Sequence, residues 1–226
     1  MSNSGIIYGT VPAENIVINR NELAQRLKTD RGFEHSVVDV CIEEFNKVVD
    51  YRYVYNCVSV VFKGDHVCNL GFGDIASKNL CDVLRGCKNA LILAITTGIG
   101  VDRLLNRLSV TSAAKHFITD AVASAAAESF CDYMDDMLRI DVDKPHRFSP
   151  GYGDFPLELQ KEIFRVLDCS RKIGLTLNES LMMSPSKSVT AIVGLSPCSG
   201  ADLTNRCSCC SNFSVFRIVP SRIISK

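Results

Sequence analysis

The 226-residue chain carries 25 basic and 25 acidic side chains, so its formal charge is zero, and 46% of it is hydrophobic against 22% charged. That balance is globular rather than disordered, and a neutral surface argues against a general nucleic-acid binder, which draws its affinity from basic groups. The length suits one domain, 1–226, and the longest apolar run, Ala90 to Ile95, is far short of the roughly 20 residues that span a bilayer.

The opening Met1 to Ile6 has neither the basic start nor the apolar core of a signal peptide. Asn19-Arg-Asn21 precedes a short amphipathic helix over Glu22–Leu27. Ser36 is placed to cap a second helix, in which Val37, Val40, Cys41, Phe45, Val48 and Val49 form an apolar stripe. Tyr51 to Phe62 is aromatic and β-branched, and the turn Lys63-Gly-Asp65 leads into His66–Leu70, which reads as a β-hairpin. Ser77 to Arg85 is helical, with Gly86 as its stop. Ala90 to Thr97 is a buried strand broken by Gly98-Ile-Gly100, and Val101 to Leu108 a short helix. The Gly98–Gly100 turn lacks the third glycine and the lysine of phosphate-binding loops, so a plain strand-to-helix break is expected.

Thr111 to about Leu138 is the longest helical pattern, and its alanines at 121, 123, 125, 126 and 127 admit close approach by a backbone or a ligand. Asp120, Ser124 and Glu128 share one of its faces. A loop from Arg147 to Asp154 follows, then a helix over Leu157–Leu167 opened by Pro156. Met182 and Met183 are expected in the core or against a ligand. Val189, Ala191, Val193 and Leu195 alternate as in a strand, and Phe213–Val219 is a last strand. Strands and helices do not alternate regularly, so the expected fold class is α+β, a largely antiparallel, twisted sheet with flanking helices.

The loop Arg147-Phe-Ser-Pro-Gly-Tyr152-Gly-Asp-Phe-Pro156 concentrates unusual chemistry. The Arg147 guanidinium offers a fork of donors to a carboxylate or phosphate and keeps its charge. Gly151 and Gly153 let main-chain groups come close to a ligand, Pro150 and Pro156 stiffen the loop, and Tyr152 supplies a ring face and a hydroxyl. A carboxylate such as Glu128 would meet an ammonium or sit near a sulfonium. The set suits a zwitterionic ligand of amino-acid type better than a polyphosphate; an ordinary turn with an arginine salt bridge remains the alternative.

These residues resemble the activation domain of cobalamin-dependent methionine synthase. The Arg147 loop is similar to that family's Arg-x-x-x-Gly-Tyr loop, Ala127-Glu128-Ser129-Phe130 with Tyr133 to its Ala-Glu-Ala-Phe-x-x-Tyr helix, and the segment from Thr176 through Glu179-Ser180 to Val189 to its Leu-Thr-Glu-Ser segment. The resemblance is best over 95–197. It implies a module that binds S-adenosylmethionine and supports reductive methylation of cob(II)alamin held by a separate methionine synthase or related corrinoid protein, with an electron from a flavodoxin-like donor. By matched position Arg147 would hold the methionine carboxylate and Glu128 the cationic end. Ser149 and Gly151 would contribute through the backbone, Glu179 and Ser180 would complete the methionine side, and Tyr152, the candidate catalytic residue, would lie near both ligand and corrin. The chain departs from the family in having no tryptophan, and Ala201-Asp202 stand near the place of a tyrosine pair.

Eleven cysteines could suggest a disulfide scaffold, but the chain is too long and too rich in core residues to need one, and Cys41, Cys57, Cys68, Cys81 and Cys131 sit in apolar contexts. A reducing cytoplasm is expected. In the tail, 198–226, Cys207-x-x-Cys210 has metal-knuckle spacing and Cys198 would add a third thiolate. A zinc or iron–sulfur site, a redox-active pair and reduced surface thiols all remain open. His66, His116 and His146 are too scattered for a histidine metal motif. Two alternative functions stand beside the first: a docking module for another corrinoid methyltransferase, and a cysteine-based metal or redox protein.

Overall fold

The computed structural model of the chain describes residues 5–27, 35–138 and 147–195. In chain order the elements are β1 (Ile7–Val11), α1 (Arg20–Leu27), α2 (His35–Asn46), β2 (Tyr51–Ser59), β3 (Val61–Phe62), β4 (Val67–Asn69), β5 (Asp74–Ala76), α3 (Lys78–Val83) and β6 (Asn89–Thr96). There follow α4 (Ile99–Thr111), α5 (Ala113–Leu138), α6 (Gln160–Leu167), α7 (Cys169–Ile173), β7 (Thr176–Leu177), β8 (Met183–Ser184) and β9 (Ser188–Leu195).

A four-stranded sheet in the order β1-β2-β6-β9, antiparallel throughout, is the frame. Side chains alternate across a strand, and here both faces are covered. Tyr51, Tyr53, Tyr55, Leu91, Leu93, Ile95 and Val193 pack with α1, α2, α4 and α5 in one core. Val54, Ala90, Ile92, Ala94 and Ile192 point the other way, into a second core with α3, α6, α7 and the small β3-β4-β5 sheet. The α+β architecture with an antiparallel sheet and flanking helices is as expected.

The differences have local causes. The expected hairpin is confined to β3–β4, because the aromatic strand breaks at Val60 and its long part, β2, takes β1 and β6 as neighbours. A strand buried on both faces needs partners along both edges, and His66–Leu70 is too short to supply one. Helix α2 begins at His35, so Ser36 lies inside it; Val38, Cys41 and Phe45 form its buried face while Val40 is exposed. Helix α4 extends from Ile99 to Thr111, beyond the expected Val101–Leu108, and α7 is an addition, set off from α6 by Asp168 in the left-handed conformation. Asn19 caps α1, its Oδ1 accepting from the N–H groups of Asn21 and Glu22. Met182 is exposed in the β7–β8 turn, whereas Met183 packs against the second core. The expected strand Phe213–Val219 lies outside the described residues.

Candidate functional site

Helix α5 is buried on nearly every side, and its small alanines let α1, α2, α4 and the sheet close around it. One polar stripe runs along it, and two cations face that stripe. At its first half the Lys187 ammonium lies 2.7 Å from Asp120 Oδ1 and donates to Ser124 Oγ at 2.9 Å. At its second half Arg147 meets three carboxylates: Asp135 Oδ2 at 2.8 Å, Asp132 Oδ1 at 3.0 Å and Glu128 Oε2 at 3.8 Å.

Strand geometry explains how Arg147 reaches α5. Phe148 N–H donates to the Ile192 carbonyl and Ile192 N–H to the Phe148 carbonyl, both at 2.9 Å, so the chain here pairs antiparallel with the outer edge of β9. Neighbouring side chains in such a segment point to opposite faces. Phe148 therefore enters the second core, stacked on Phe155 with centroids 5.8 Å apart, while Arg147 goes to the α5 face. Ser149 is held through its side chain as well, its hydroxyl donating to the Thr190 carbonyl at 2.6 Å.

The loop beyond is tied down at its far end. Gly151 N–H donates to the Phe155 carbonyl at 2.8 Å, and both Gly151 and Gly153 have positive φ, a conformation open to glycine without strain. Asp154 accepts from the Ser77 hydroxyl at 2.6 Å and from the N–H groups of Lys78 and Asn79, so it caps α3 from 75 residues or more away in sequence. These bonds hold the Asp154 carboxyl below the usual range, the Ser77 hydrogen bond most of all. Phe155 is buried. A loop fixed at both ends presents Tyr152, 67% exposed, without having to be ordered by a ligand.

The electrostatics centre on Asp135, which is only 6% exposed. Burial pushes its carboxyl upward and Arg147 opposes that, while Asp132 and Asp136 add to the rise. Burial works against the Arg147 charge, yet the anions around it, Asp135 and Asp132 among them, more than offset it, so the guanidinium holds its proton more firmly than a free one. Burial raises the Cys131 thiol to about 12, so that cysteine stays protonated beside the cluster.

Of the residues expected at the site, the structure brings Arg147 and Glu128 together, with Ser149, Gly151 and Tyr152 on the same loop. Glu179 and Ser180 are exposed in the β7–β8 turn and, among the described residues, make no hydrogen bond or ion pair with Arg147 or Glu128. Cys198, Cys207 and Cys210 lie outside the described residues. Asp132 and Asp135 are not among the residues expected from the sequence. Their signal was present, since the step of four that joins Asp120, Ser124 and Glu128 continues to Asp132, and a step of three reaches Asp135. A cavity of about 220 Å³ lined by Phe62, Gly64, Asp65, Cys81, Arg85 and Gly86 contains none of these residues, and the charged chemistry lies at the α5 surface instead. Among the described residues no group of three or more His, Cys, Asp or Glu side chains is arranged to hold a metal ion, and no helix is long and apolar enough to cross a membrane.

Fold and site together define an α+β domain that sets one arginine, on a strand-edge loop, against an acidic helix. Residues 80–201 match the family model described as the vitamin B12 dependent methionine synthase activation domain, more than half of the chain, and the chain belongs to that family. Among solved structures it is similar to the crystal structure of the MetH reactivation domain bound to AdoHcy, with a TM-score of 0.65 at 15% identity over 88% of this chain and 80% of that one. At that identity the likeness establishes the fold. No curated protein matches the chain.

Proposed function

We propose that this protein binds S-adenosylmethionine at the Arg147 loop and supports the reductive methylation of cob(II)alamin carried by a methionine synthase or related corrinoid-binding partner. Family membership and the AdoHcy-bound structural relative support the reading. The observation that carries it is the guanidinium of Arg147 set among Glu128, Asp132 and Asp135, at the start of the loop that also carries the exposed Tyr152. An amino-acid zwitterion needs a fixed cation for its carboxylate and a nearby carboxylate for its ammonium, and this surface supplies both within one side chain's reach. Half-exposed Glu128 and Asp132 are free to turn toward the ammonium, and the positive-φ Gly151 brings main-chain groups close. Bound there, S-adenosylmethionine supplies a methyl group on a sulfonium. The chain's own residues bind and orient the ligand and leave the Tyr152 side open to a docking corrinoid, so their contribution is positioning.

Glu179 and Ser180 approach the ligand from the β7–β8 turn in this reading, residues 1–226 act as one domain, and the electron comes from a flavodoxin-like protein in the cytoplasm. Cys198, Cys207 and Cys210 are proposed as a separate zinc or iron–sulfur site, tested by metal analysis of anaerobically purified protein. Calorimetry with S-adenosylmethionine tests the main proposal. The wild type is expected to bind and Arg147→Ala to bind at least tenfold more weakly. Equal binding by the two, or none by the wild type, overturns it; the latter together with a stable complex with a cobalamin-loaded protein would favour a docking module.

A further inference from the structure

One positive charge, on Arg147, faces three negative ones, and the three are not equivalent. The Glu128 and Asp132 side chains are 44% and 63% exposed, so water or a ligand ammonium can take over when either leaves the guanidinium. Asp135 has no such freedom. Its Oδ2 accepts from Arg147, and its buried Oδ1 has no hydrogen-bond partner among the described residues. A buried carboxylate with one bare oxygen stays ionised only through its neighbour's charge. Most charged groups on the elements packed against α5 have partners elsewhere: Lys187 with Asp120, Glu44 of α2 with Lys115 and with Arg107 of α4, Asp102 of α4 with Ser186, and on α1 Arg20 with Asp39 and Arg26 with Glu22. Glu43 of α2 and Arg103 of α4 make no ion pair with Asp135 or Arg147 among the described residues. The charges that act on the Asp135 carboxyl, among the described residues, are Arg147, which steadies its anion, and the acidic Asp132 and Asp136, while the neighbouring Cys131 thiol stays neutral.

A ligand carboxylate arriving at Arg147 would be the fourth anion about one guanidinium. Glu128 and Asp132 can rotate out to meet the ligand's ammonium; buried Asp135 cannot. We propose that Asp135 is a positioning residue that presents Arg147 to the ligand's carboxylate and takes up one proton from solvent when that carboxylate binds. This rests on the ligand reading above. Protonated, Asp135 keeps a carbonyl oxygen to accept from Arg147, so the guanidinium stays in place while the surplus charge is removed.

The sign follows from linkage. A group that holds its proton more firmly in the complex than in the free protein makes binding tighter at low pH, and affinity falls by up to about tenfold per pH unit between its free and bound pKa values. Calorimetry of the whole chain with S-adenosylmethionine, near pH 6 where an α-ammonium of pKa about 8 is already charged, is run in two buffers of different ionisation enthalpy. The wild type is expected to show proton uptake approaching one per ligand, and affinity that weakens as pH rises above the free-state pKa of Asp135. Asp135→Asn, which retains an acceptor for Arg147, is expected to bind within several-fold of the wild type with no uptake, and Asp132→Asn to keep the uptake. Wild-type binding without uptake, or undiminished uptake in Asp135→Asn, overturns the proposal while leaving the ligand reading intact. Absence of wild-type binding overturns both. Should Asp135→Asn fail to fold, the wild-type pH profile decides, and a flat profile overturns the proposal.

Discussion

At the scale of single residues, Arg147 illustrates how a side chain's role depends on what backs it. The guanidinium and its loop were readable in the sequence because glycine, proline, arginine and tyrosine crowd into ten positions. Its acidic partners were readable in part. Glu128 was marked by a family resemblance, but Asp132 and Asp135 were hidden among the charges that end the longest helix. Only the path of the chain along β9 shows that they meet Arg147. Gly100 is a second residue whose importance only packing reveals. A Cβ there would press inside van der Waals contact on the Val48 carbonyl oxygen, and backbone cannot yield as a side-chain tip can. Gly100→Ala is expected to destabilise the protein by about 1–3 kcal/mol, seen as a lower urea midpoint with an unchanged m-value.

At the scale of elements, strongly periodic segments were legible and short ones were not. The pattern from Thr111 to Leu138 gave α5 almost entire, with Ser112 marking the break from α4. β6 was plain from its apolar run. β1 leaves little trace in the sequence because five residues containing a glycine carry little propensity, and β7–β8 leave none because the strands are two residues long. Helix α3 shows an element completed from a distance. Ser77 caps it locally, its hydroxyl accepting from Leu80 N–H at 3.0 Å, and Asp154 caps it from across the chain. Asp154→Ala is therefore expected to lower the thermal midpoint near neutral pH and to loosen the Tyr152 loop. Because the folded pKa of Asp154 is depressed, its contribution is present above the unfolded carboxylate pKa of about 4 and is lost as pH falls through the lower folded value. Thermal melts from neutral pH into acid should show the wild type and Asp154→Ala converging as that carboxylate protonates.

At the scale of the whole molecule, one sheet serves two cores. Adjacent residues of β6 belong to different ones, Leu91, Leu93 and Ile95 to the first and Ala90, Ile92 and Ala94 to the second. Neither core can melt without stripping one face of the central strand. Phe130→Ala in the first core is expected to cost about 3–5 kcal/mol and Leu80→Ala in the second about 2–5 kcal/mol. In both variants far- and near-ultraviolet circular dichroism should lose signal in one coincident transition, and two separated transitions would contradict the proposed single domain. Strand order is what the sequence withholds at this scale. Composition and periodicity supply the alternation of faces, but which edges meet depends on pairing between segments far apart in the chain.

The bridge between Phe148 and Ile192 makes spacing a determinant in its own right. Arg147 and Phe148 are joined by one peptide bond yet serve opposite sides of the sheet, one the acidic helix and the other the second core. Substitution at either leaves the other's orientation intact. Inserting a residue between them would send the guanidinium to the wrong side while every side chain of the loop was still present. Among descendants of this sequence, length should thus be held constant from Arg147 to Phe155 even where the residues themselves drift.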